Sequence, residues 1–295
     1  MRSRHLVIAG MAALLLLSAC GSSSKSSSSG NDTTTTVAVK ERPHITIDAK
    51  EYSYALPAQI PAGWVDVTLH NSGTVGHQIA FAKLNAVSFT AFKAAAGTTN
   101  VKALTGVDFV GGPNNVDPGQ SVTATVHFEE GEYGVACFIP DAKDDKPHAE
   151  HGMVGEVKVV KTADSVEDAP KVDAGTVSLS EFTFLPDAGF TGDGTVEIKN
   201  AGTQIHEMII EKEAAGKTLA DVKAFLLAPP GSPAPTGPPP FTSAGGIVGI
   251  GPGQTMYQTM ALTPGKYVMI CVFPDPTHGN EPHALEGMVK EITIS

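Results

Sequence analysis

Short runs in which apolar and polar residues alternate recur along the chain. Val65, Val67 and Leu69 form one such run, and Val196 with Ile198 forms another. This period of two is typical of strands with one buried face. The chain is also rich in Gly (31 residues) and Pro (21 residues), which favour turns over long helices. The pattern therefore predicts an all-β protein built from short strands.

Two segments break this pattern and predict short helices. The first covers residues 88–96. The second covers residues 218–227, where Thr218 and Asp221 have the spacing of a capping box. We therefore expect one short helical insert in each half of the chain.

The second half of the chain repeats the first. The segment Tyr-Gly-Val-Ala-Cys-Phe-Ile-Pro-Asp at residues 133–141 matches Tyr-Val-Met-Ile-Cys-Val-Phe-Pro-Asp at 267–275, and three further pairs match in the same order. Such a duplication indicates two copies of one module. We predict module 1 at residues 44–161, module 2 at 175–295 and a charged linker at 162–174. The other matching pairs are 71–77 with 200–206, 118–120 with 252–254, and 147–154 with 282–289.

The N-terminus has the features of an export signal. Arg2 and Arg4 precede an apolar stretch at residues 6–17, which is too short to span a bilayer core of about 30 Å. The stretch ends in Leu-Ser-Ala-Cys-Gly, which resembles the lipobox of bacterial lipoprotein signal peptides. This resemblance implies that residues 1–19 are removed and that Cys20 carries the lipid. The alternative is an ordinary secretory leader that ends in a chance cysteine.

A flexible tether is predicted at residues 20–43. Positions 21–36 are almost entirely Ser, Thr, Gly, Asn and Asp, and such a segment buries too little apolar surface to fold. Together with the lipid, the tether predicts a folded part held at the bacterial cell membrane, on its extracytoplasmic side.

Four residue types that bind copper occur in the same order in both modules: His, Cys, His and Met. A thiolate with two imidazoles and a weak axial thioether is the ligand set of a blue-copper electron-transfer centre. Thiolate and thioether favour Cu(I), whereas imidazole suits both oxidation states. The sequence therefore predicts two type 1 copper sites. Their ligands are His77, Cys137, His148 and Met153 in module 1, and His206, Cys271, His283 and Met288 in module 2.

Two other interpretations of these residues remain open. Cys and Met also pack as hydrophobic residues in β-sandwich cores, although packing alone does not explain why all four types recur twice in order. In an oxidising compartment, Cys137 and Cys271 are also candidates for a disulfide. Such a bond requires their Cα atoms to lie within about 7 Å of each other.

Nearly all of the chain after residue 43 resembles the cupredoxin family. The resemblance is carried by a Gly-x-Tyr-x-x-x-Cys segment and a His-x4-Met segment in each module. It implies two tandem cupredoxin-like Greek-key β-sandwiches with one type 1 copper each. The loops between the Cys and the second His, with ten and eleven residues, depart from the small carriers and resemble the type 1 domain of copper nitrite reductases. The segments are Gly131–Cys137, His148–Met153, Gly265–Cys271 and His283–Met288.

The sequence favours an electron carrier over an enzyme. The neighbours of the two cysteines are Ala136 and Phe138, and Ile270 and Val272, so neither cysteine adjoins a His that would wire a type 1 copper to a second centre. No Gly-x-Ser-x-Gly elbow, P-loop or dinucleotide fingerprint is present. The alternatives are a protein that buffers copper without electron transfer and a metal-free cupredoxin-like interaction scaffold.

Charge indicates what kind of partner the protein meets. The chain has 20 Lys and Arg against 31 Asp and Glu, a net charge of −11, which disfavours nucleic-acid binding. The second His of each set is expected near the surface, beside apolar residues and acidic loops. We therefore expect a redox partner protein. One form of such a partner has a basic docking face, and its association would be sensitive to salt.

Overall fold

The computed structural model describes residues 40–98, 101–228 and 237–295. The predicted signal peptide, the lipidation site Cys20 and residues 20–39 of the predicted tether lie outside this described part. Within it, no helix has the length and apolar character needed to cross a membrane. Residues 40–295 belong to one compact unit.

Module 1 folds into short strands with one helix. The helix α1 spans Phe89–Ala96, and a 3-10 turn at Val101–Leu104 follows it. The strands are β1 His44–Lys50, β2 Ser53–Ala55, β3 Gln59–Pro61, β4 Gly63–Asn71, β5 Ala80–Lys83, β6 Asp108–Gly111, β7 Ser121–Phe128, β8 Gly131–Ala136 and β9 Val154–Val160.

Module 2 repeats this arrangement. Its helix α2 spans Leu219–Leu226. The strands are β10 Thr176–Ser180, β11 Thr183–Pro186, β12 Asp193–Asn200, β13 His206–Glu213, β14 Phe241–Ile250, β15 Thr255–Ala261, β16 Gly265–Ile270, β17 Pro274–Asp275, β18 Glu281–Pro282 and β19 Val289–Ile294.

The strands assemble into two large sheets, each of which takes strands from both modules. The eight-stranded sheet has the order β11-β10-β12-β15-β7-β4-β1-β2, and the nine-stranded sheet has the order β19-β16-β13-β14-β6-β5-β8-β9-β3. Most neighbours are antiparallel, whereas β1–β4, β10–β12 and β3–β9 are parallel. The short strands β17 and β18 pair separately, in the loop that follows Cys271.

A hydrophobic core lies between the sheets. Along β4 every second residue is buried, as its alternating pattern predicts, and this places Val65, Val67 and Leu69 in the core. Tyr133 of β8 and Val157 of β9 join them from the other sheet. The alternation predicted for Val65, Val67 and Leu69 therefore matches the buried face of β4.

Both predicted helices form, and their caps explain where they begin. Ser88 precedes α1, and its side chain accepts a hydrogen bond from the amide of Ala91 at 3.2 Å. Thr218 precedes α2 and forms the predicted capping box with Asp221. Such caps satisfy amide groups that the first helical turn leaves unpaired.

Backbone hydrogen bonds join the two modules along the seam between β6 and β14. The amide of Gly251 donates to the Phe109 carbonyl at 2.9 Å, and the amide of Val248 donates to the Gly112 carbonyl at 3.0 Å. Ile250 and Val110 are the paired residues of the two strands. The seam makes the nine-stranded sheet continuous. The boundaries 44–161, 162–174 and 175–295 stay a prediction.

Candidate metal centres

The first cluster brings together His77, Cys137 and His148 of module 1. Each offers a nitrogen or sulfur atom within 4.8 Å of the others, and all three residues are buried. Cys137 follows directly after β8. Cys137 Sγ lies 3.4 Å from His148 Nδ1, and the rings of His77 and His148 lie 5.1 Å apart in a T-shaped arrangement.

The second cluster repeats the first with His206, Cys271 and His283. Cys271 follows β16, and its Sγ lies 3.5 Å from His283 Nδ1. The Nδ1 atoms of the two histidines are 3.1 Å apart. The structure thus assembles six of the eight predicted ligands into two separate groups, three from each module.

The two methionines are held beside these clusters by their backbones. The Cys137 amide donates to the Met153 carbonyl at 3.1 Å, and the Met153 amide donates to the His148 carbonyl at 2.9 Å. Cys271, Met288 and His283 make the same two hydrogen bonds. Both methionine side chains are fully buried. Their role as axial ligands, and that of the other six residues as copper ligands, stays a prediction.

The long loops between Cys and the second His close on themselves. In module 1 the amide of His148 donates to the Ile139 carbonyl and that of Ala149 donates to the Cys137 carbonyl, both at 2.9 Å. In module 2 the amide of His283 donates to Phe273 at 3.0 Å. These hydrogen bonds hold the second histidine close to its cysteine, although ten or eleven residues lie between them in the chain.

The polar atoms of the clusters fit a bound metal ion. Both ring nitrogens of His77 are buried and have no hydrogen-bond partner, although a buried polar atom without a partner costs about 1–3 kcal/mol. Burial lowers the pKa of His77 and of His283 to about 4. Neutral imidazoles with an unpaired nitrogen are the form that ligates metals.

Burial also raises the pKa of both cysteine thiols, that of Cys137 to about 11. A metal ion deprotonates a coordinating thiol, so each thiol would release a proton on coordinating one. Both cysteines are free. The structure therefore does not contain the disulfide that stood as an alternative.

A carboxylate faces the outer nitrogen of the first histidine in each cluster. Glu181 Oε1 lies 3.5 Å from His206 Nε2. In module 1, Gly73 lies between Glu51 and His77. A Cβ at this glycine would lie 2.8 Å from Glu51 Oε1 and 3.0 Å from His77 Nε2, so only glycine leaves room for both side chains. A carboxylate that accepts a proton from such a histidine fixes its tautomer; here both carboxylates lie close by, and neither Nε2 atom has a hydrogen-bond partner.

These two carboxylates are ionised and anchored. The amide of Thr74 lowers the pKa of Glu51 to about 2. Desolvation would raise the pKa of Glu181, but hydrogen bonds from the amides of Thr203 and Gln204 outweigh it and bring the pKa to about 2. Sequence reasoning missed both residues, although Glu51-Tyr-Ser-Tyr and Glu181-Phe-Thr-Phe are a further matching pair of the repeat.

Asn71 and Asn200 hold the loops that carry the first histidines. Asn71 Nδ2 donates to the carbonyls of Val75 at 2.8 Å and Val116 at 2.7 Å. Asn200 makes the equivalent bonds in module 2. Both asparagines are fully buried, so the hydrogen bonds that hold these loops lie in the core of the protein.

The second histidine of each cluster is buried, which corrects the expectation that it lies near the surface. His148 is 1% exposed and His283 is 0% exposed. Tyr52 covers His148 and Phe182 covers His283, each with a ring-centroid distance of 5.2 Å and an angle of 65°. These rings come from the β1–β2 and β10–β11 hairpins, which the sequence pattern did not connect with the copper loops.

The two clusters differ in what surrounds the cysteine. The Tyr54 hydroxyl lies beside Cys137 and lowers the pKa of its thiol, while it donates its proton to the Gln78 carbonyl at 2.5 Å. Phe184 occupies the position of Tyr54 in module 2, because Ala49 pairs with Tyr54 as Leu179 pairs with Phe184. Glu207 takes the place of Gln78 and is buried, with its pKa raised to about 7 by desolvation.

A further group of possible ligands lies in the segment of module 2 that follows Cys271. Asp275, His278 and Glu286 place nitrogen and oxygen atoms within 4.8 Å of one another. His278 Nδ1 lies 2.7 Å from Asp275 Oδ2 and 3.4 Å from Glu286 Oε2. These contacts pair the histidine with two carboxylates and account for the arrangement without a metal.

No protein-family model and no curated protein matches the chain. Among solved structures, it is similar to a dithionite-reduced auracyanin from Roseiflexus castenholzii (19% identity, 40% of this chain and 96% of that one, TM-score 0.29). It is also similar to auracyanin A, a "blue" copper protein from Chloroflexus aurantiacus (14% identity, 41% and 100%, TM-score 0.29). A third is the azurin Az-iso2 from Methylomonas sp. strain J (16%, 40% and 98%, TM-score 0.28).

The fold class is defined by the strands of the protein itself and not by these TM-scores. The strands form two large mixed sheets of an all-β protein, which match cupredoxin-like β-sandwiches, and a His–Cys–His group occurs in each half of the chain. The fold class and the cupredoxin resemblance predicted from the sequence are confirmed.

Proposed function

We propose that each cluster binds one copper ion as a type 1 centre and that the protein carries single electrons. The observation that best supports this is the buried, unpartnered pair of ring nitrogens on His77 beside Cys137 and His148. The same donor set recurs in module 2. A bound copper ion supplies a one-electron couple between Cu(II) and Cu(I).

The residues around each cluster hold the donors in one geometry. Glu181 lies beside His206 Nε2, while backbone hydrogen bonds fix the second histidine of each cluster relative to the cysteine. All of these donors are buried, so little water reorganises around them when the charge changes. A fixed, dry donor set of this kind favours fast electron transfer over binding and release of substrates.

We propose an electron carrier rather than an enzyme. Two imidazoles, a thiolate and a thioether fill a trigonal site with its axial position, whereas catalytic metal sites keep a position open for water or substrate. Aromatic rings cover both second histidines. This covering of the histidines supports a route for electrons over direct contact between a substrate and the metal.

The membrane location is part of the same proposal. The lipobox-like segment that ends at Cys20 supports a lipid-anchored protein on the extracytoplasmic side of a bacterial membrane. Metabolic labelling with a fatty acid tests this: the full chain is expected to be labelled and Cys20→Ser is not. Equal labelling of both chains, or none of either, contradicts it.

The copper loop of module 2 offers a surface for a redox partner. Leu285, two residues after His283, is 53% exposed, and the acidic side chain of Glu281 is exposed nearby. An apolar residue beside acidic ones suits a partner with a basic rim. In module 1, Lys146 pairs with Glu150 and Lys143 is exposed, so the module 1 loop is less acidic.

Copper titration of the chain without residues 1–20 tests the function directly. The expected result is an intense thiolate-to-copper band that saturates at two Cu(II) per chain. Cys137→Ala and Cys271→Ala are each expected to retain one centre. Tight copper binding with no reversible one-electron reduction would instead indicate a copper buffer, and no tight binding would leave a metal-free scaffold.

A further inference from the structure

Three phenylalanine rings form a row from one cluster to the other. Phe138 follows Cys137 in the chain, and its ring centroid lies 6.1 Å from that of Phe109 on β6. Phe109 lies 6.0 Å from Phe273. Phe273, two residues after Cys271, lies 6.4 Å from the ring of His283. We call Phe138, Phe109 and Phe273 the aromatic bridge.

The bridge is closely packed across the seam between the modules. Each centroid distance falls within the range of about 4.5–7 Å for interacting aromatic rings. Phe109 is 3% exposed, and Val248 of module 2 belongs to the same buried cluster. A Cβ at Gly249 would lie 3.0 Å from Phe273 Cε2, so this glycine makes room for the ring.

Backbone hydrogen bonds fix the bridge at its centre and at its module 2 end. The Gly251 amide holds the Phe109 carbonyl at 2.9 Å, and the His283 amide holds the Phe273 carbonyl at 3.0 Å. Phe138 is joined to Cys137 by one peptide bond. The bridge is therefore bonded through the backbone to Cys137 of the first cluster, and at its other end it contacts the ring of His283 of the second cluster.

The three rings are not part of the repeat. The repeated segments align Phe138 with Val272, Ile139 with Phe273, and the Phe109-Val-Gly-Gly segment with Ser243-Ala-Gly-Gly. If the fold of a module required these rings, the second copy would carry them too. Each ring instead occurs once, in the copy where it faces the seam.

Electron tunnelling weakens steeply with distance, and gaps between atoms weaken it more than packed or bonded atoms do. Close packing provides continuous contacts, and in the bridge these are the ring contacts at centroid distances of 6.1, 6.0 and 6.4 Å, although Phe109 and Phe273 also line a cavity. In a copper–thiolate centre the Cys sulfur shares electron density with the metal, so the residue after Cys137 is well placed to receive that coupling.

We propose that the aromatic bridge couples the two clusters, so that an electron gained at one centre passes within the chain to the other. This inference rests on the proposed function. In the step, one Cu(I) is oxidised to Cu(II) and the other Cu(II) is reduced to Cu(I). No bond is made or broken, and no proton or further reactant is needed.

The test is the rate of electron transfer within the copper-loaded chain. All variants carry Met288→Gln as a common background. Because the axial ligand tunes the potential, this change makes the potentials of the two centres differ, so electrons that arrive at random at either centre must then redistribute between them. A radiolytic pulse reduces a small fraction of the copper. The spectra of Cys137→Ala and Cys271→Ala identify the two centres, and the relaxation between them is followed at several protein concentrations.

We expect a first-order relaxation that is independent of protein concentration. Phe109→Leu removes the ring contacts in the middle of the bridge and is expected to slow it about tenfold or more. Phe109→Tyr keeps the ring and the rate. Phe128→Leu is the matched control, because Phe128 is a fully buried ring of the module 1 core outside the bridge. Phe138→Val places the module 2 residue at that position and is a second slowing variant.

Several outcomes overturn the inference while leaving the proposed function intact. These are a relaxation rate proportional to protein concentration, no relaxation, or Phe109→Leu and Phe138→Val rates within twofold of the parent. Pulsed electron paramagnetic resonance between the two Cu(II) ions must give the same separation in variant and parent, which excludes a shift of the modules as the cause. Missing copper bands in both single-centre variants would instead overturn the proposed function.

Discussion

Nδ1 of His206 lies 3.1 Å from Nδ1 of His283, with Cys271 Sγ 3.5 Å from the latter. Their outer nitrogens have other neighbours: His206 Nε2 faces Glu181 Oε1 at 3.5 Å, and His283 Nε2 lies 3.3 Å from Gln204 Oε1. An Nε2 proton on each ring would lie beside these oxygens and would leave both Nδ1 atoms unprotonated. Together with Cys271 Sγ, the three groups place their ligand atoms within 4.8 Å of one another, close enough to hold one metal ion.

Copper binding is expected to release protons. The thiols of Cys137 and Cys271 have raised pKa values because they are buried, so they are protonated near pH 7 and must ionise to bind copper. The histidines are already neutral. Binding is therefore expected to tighten about tenfold per pH unit at each site as the pH rises.

Calorimetry in buffers with different ionisation enthalpies measures this release. One proton is expected per copper ion, hence two for the parent chain and one for Cys271→Ala. Copper uptake without any proton release would show that the thiols are not ligands, and equal release by the parent and Cys271→Ala would exclude the second site.

Glu51 and Glu181 are expected to strengthen copper binding from outside the ligand set. Glu181→Gln removes the negative charge that faces His206 Nε2, and losses of such outer partners weaken metal binding by about 10–100-fold. Competition with a chelator measures the affinity of each site in single-centre backgrounds. Glu156→Gln is the control, because Glu156 is exposed on β9; an equal loss in this variant would show a general charge effect.

The hydroxyl of Tyr54 is expected to separate the reduction potentials of the two centres. Once the thiolate forms, we expect the Tyr54 proton to turn from the Gln78 carbonyl to the sulfur. A hydrogen bond donated to the sulfur stabilises thiolate charge and so favours Cu(I) over Cu(II), which raises the potential. A hydrogen bond worth about 1 kcal/mol corresponds to about 40 mV for one electron. Tyr54→Phe is therefore expected to lower the potential of the module 1 centre by about this amount.

Phe184→Tyr is the reciprocal change in module 2. Spectroelectrochemical titration in single-centre backgrounds is expected to show its potential rise as that of Tyr54→Phe falls. If both substitutions shift the potential in the same direction, the hydroxyl does not tune the centres through hydrogen bonding to sulfur.

The sequence predicted the parts of the site that repeat as motifs, and missed those contributed by other segments. His77, Cys137 and His148 stand in ordered, duplicated segments, and the structure brings them together. Tyr52 and Glu51 come from a hairpin distant in sequence, so only the pairing of strands places them beside the cluster. The same reason explains why His148 was expected near the surface.

The seam between the modules was also invisible to pattern analysis. Alternation predicts that β6 and β14 have buried residues, but it does not say which strand of the other module they pair with. Phe109 and Asn115 appear as ordinary core and loop residues until the paired sheet brings them to module 2. Interfaces within one chain depend on such long-range packing, which local patterns do not encode.

Glu211 is expected to make the stability of the chain depend on pH. It is 2% exposed on β13, Asn115 Nδ2 donates to its Oε1 at 2.5 Å, and its Oε2 has no hydrogen-bond partner. Desolvation, with a smaller effect of Asp117, raises the pKa of Glu211 to about 8. The native state therefore binds this proton more tightly than the unfolded state does.

The sign follows from this difference. Below about pH 4.5 the carboxyl is protonated in both states, and its contribution to stability is fully present. As the pH rises from there toward 8, only the unfolded state ionises freely, so the free energy of unfolding falls, by about 1.4 kcal/mol for each unit of raised pKa as an upper limit. Glu211→Gln removes the ionisable group but keeps an acceptor for Asn115. Thermal unfolding of the copper-free chain between pH 5 and 9 is expected to show a smaller decline in melting temperature for Glu211→Gln than for the parent; parallel curves would mean that Glu211 does not titrate across this range.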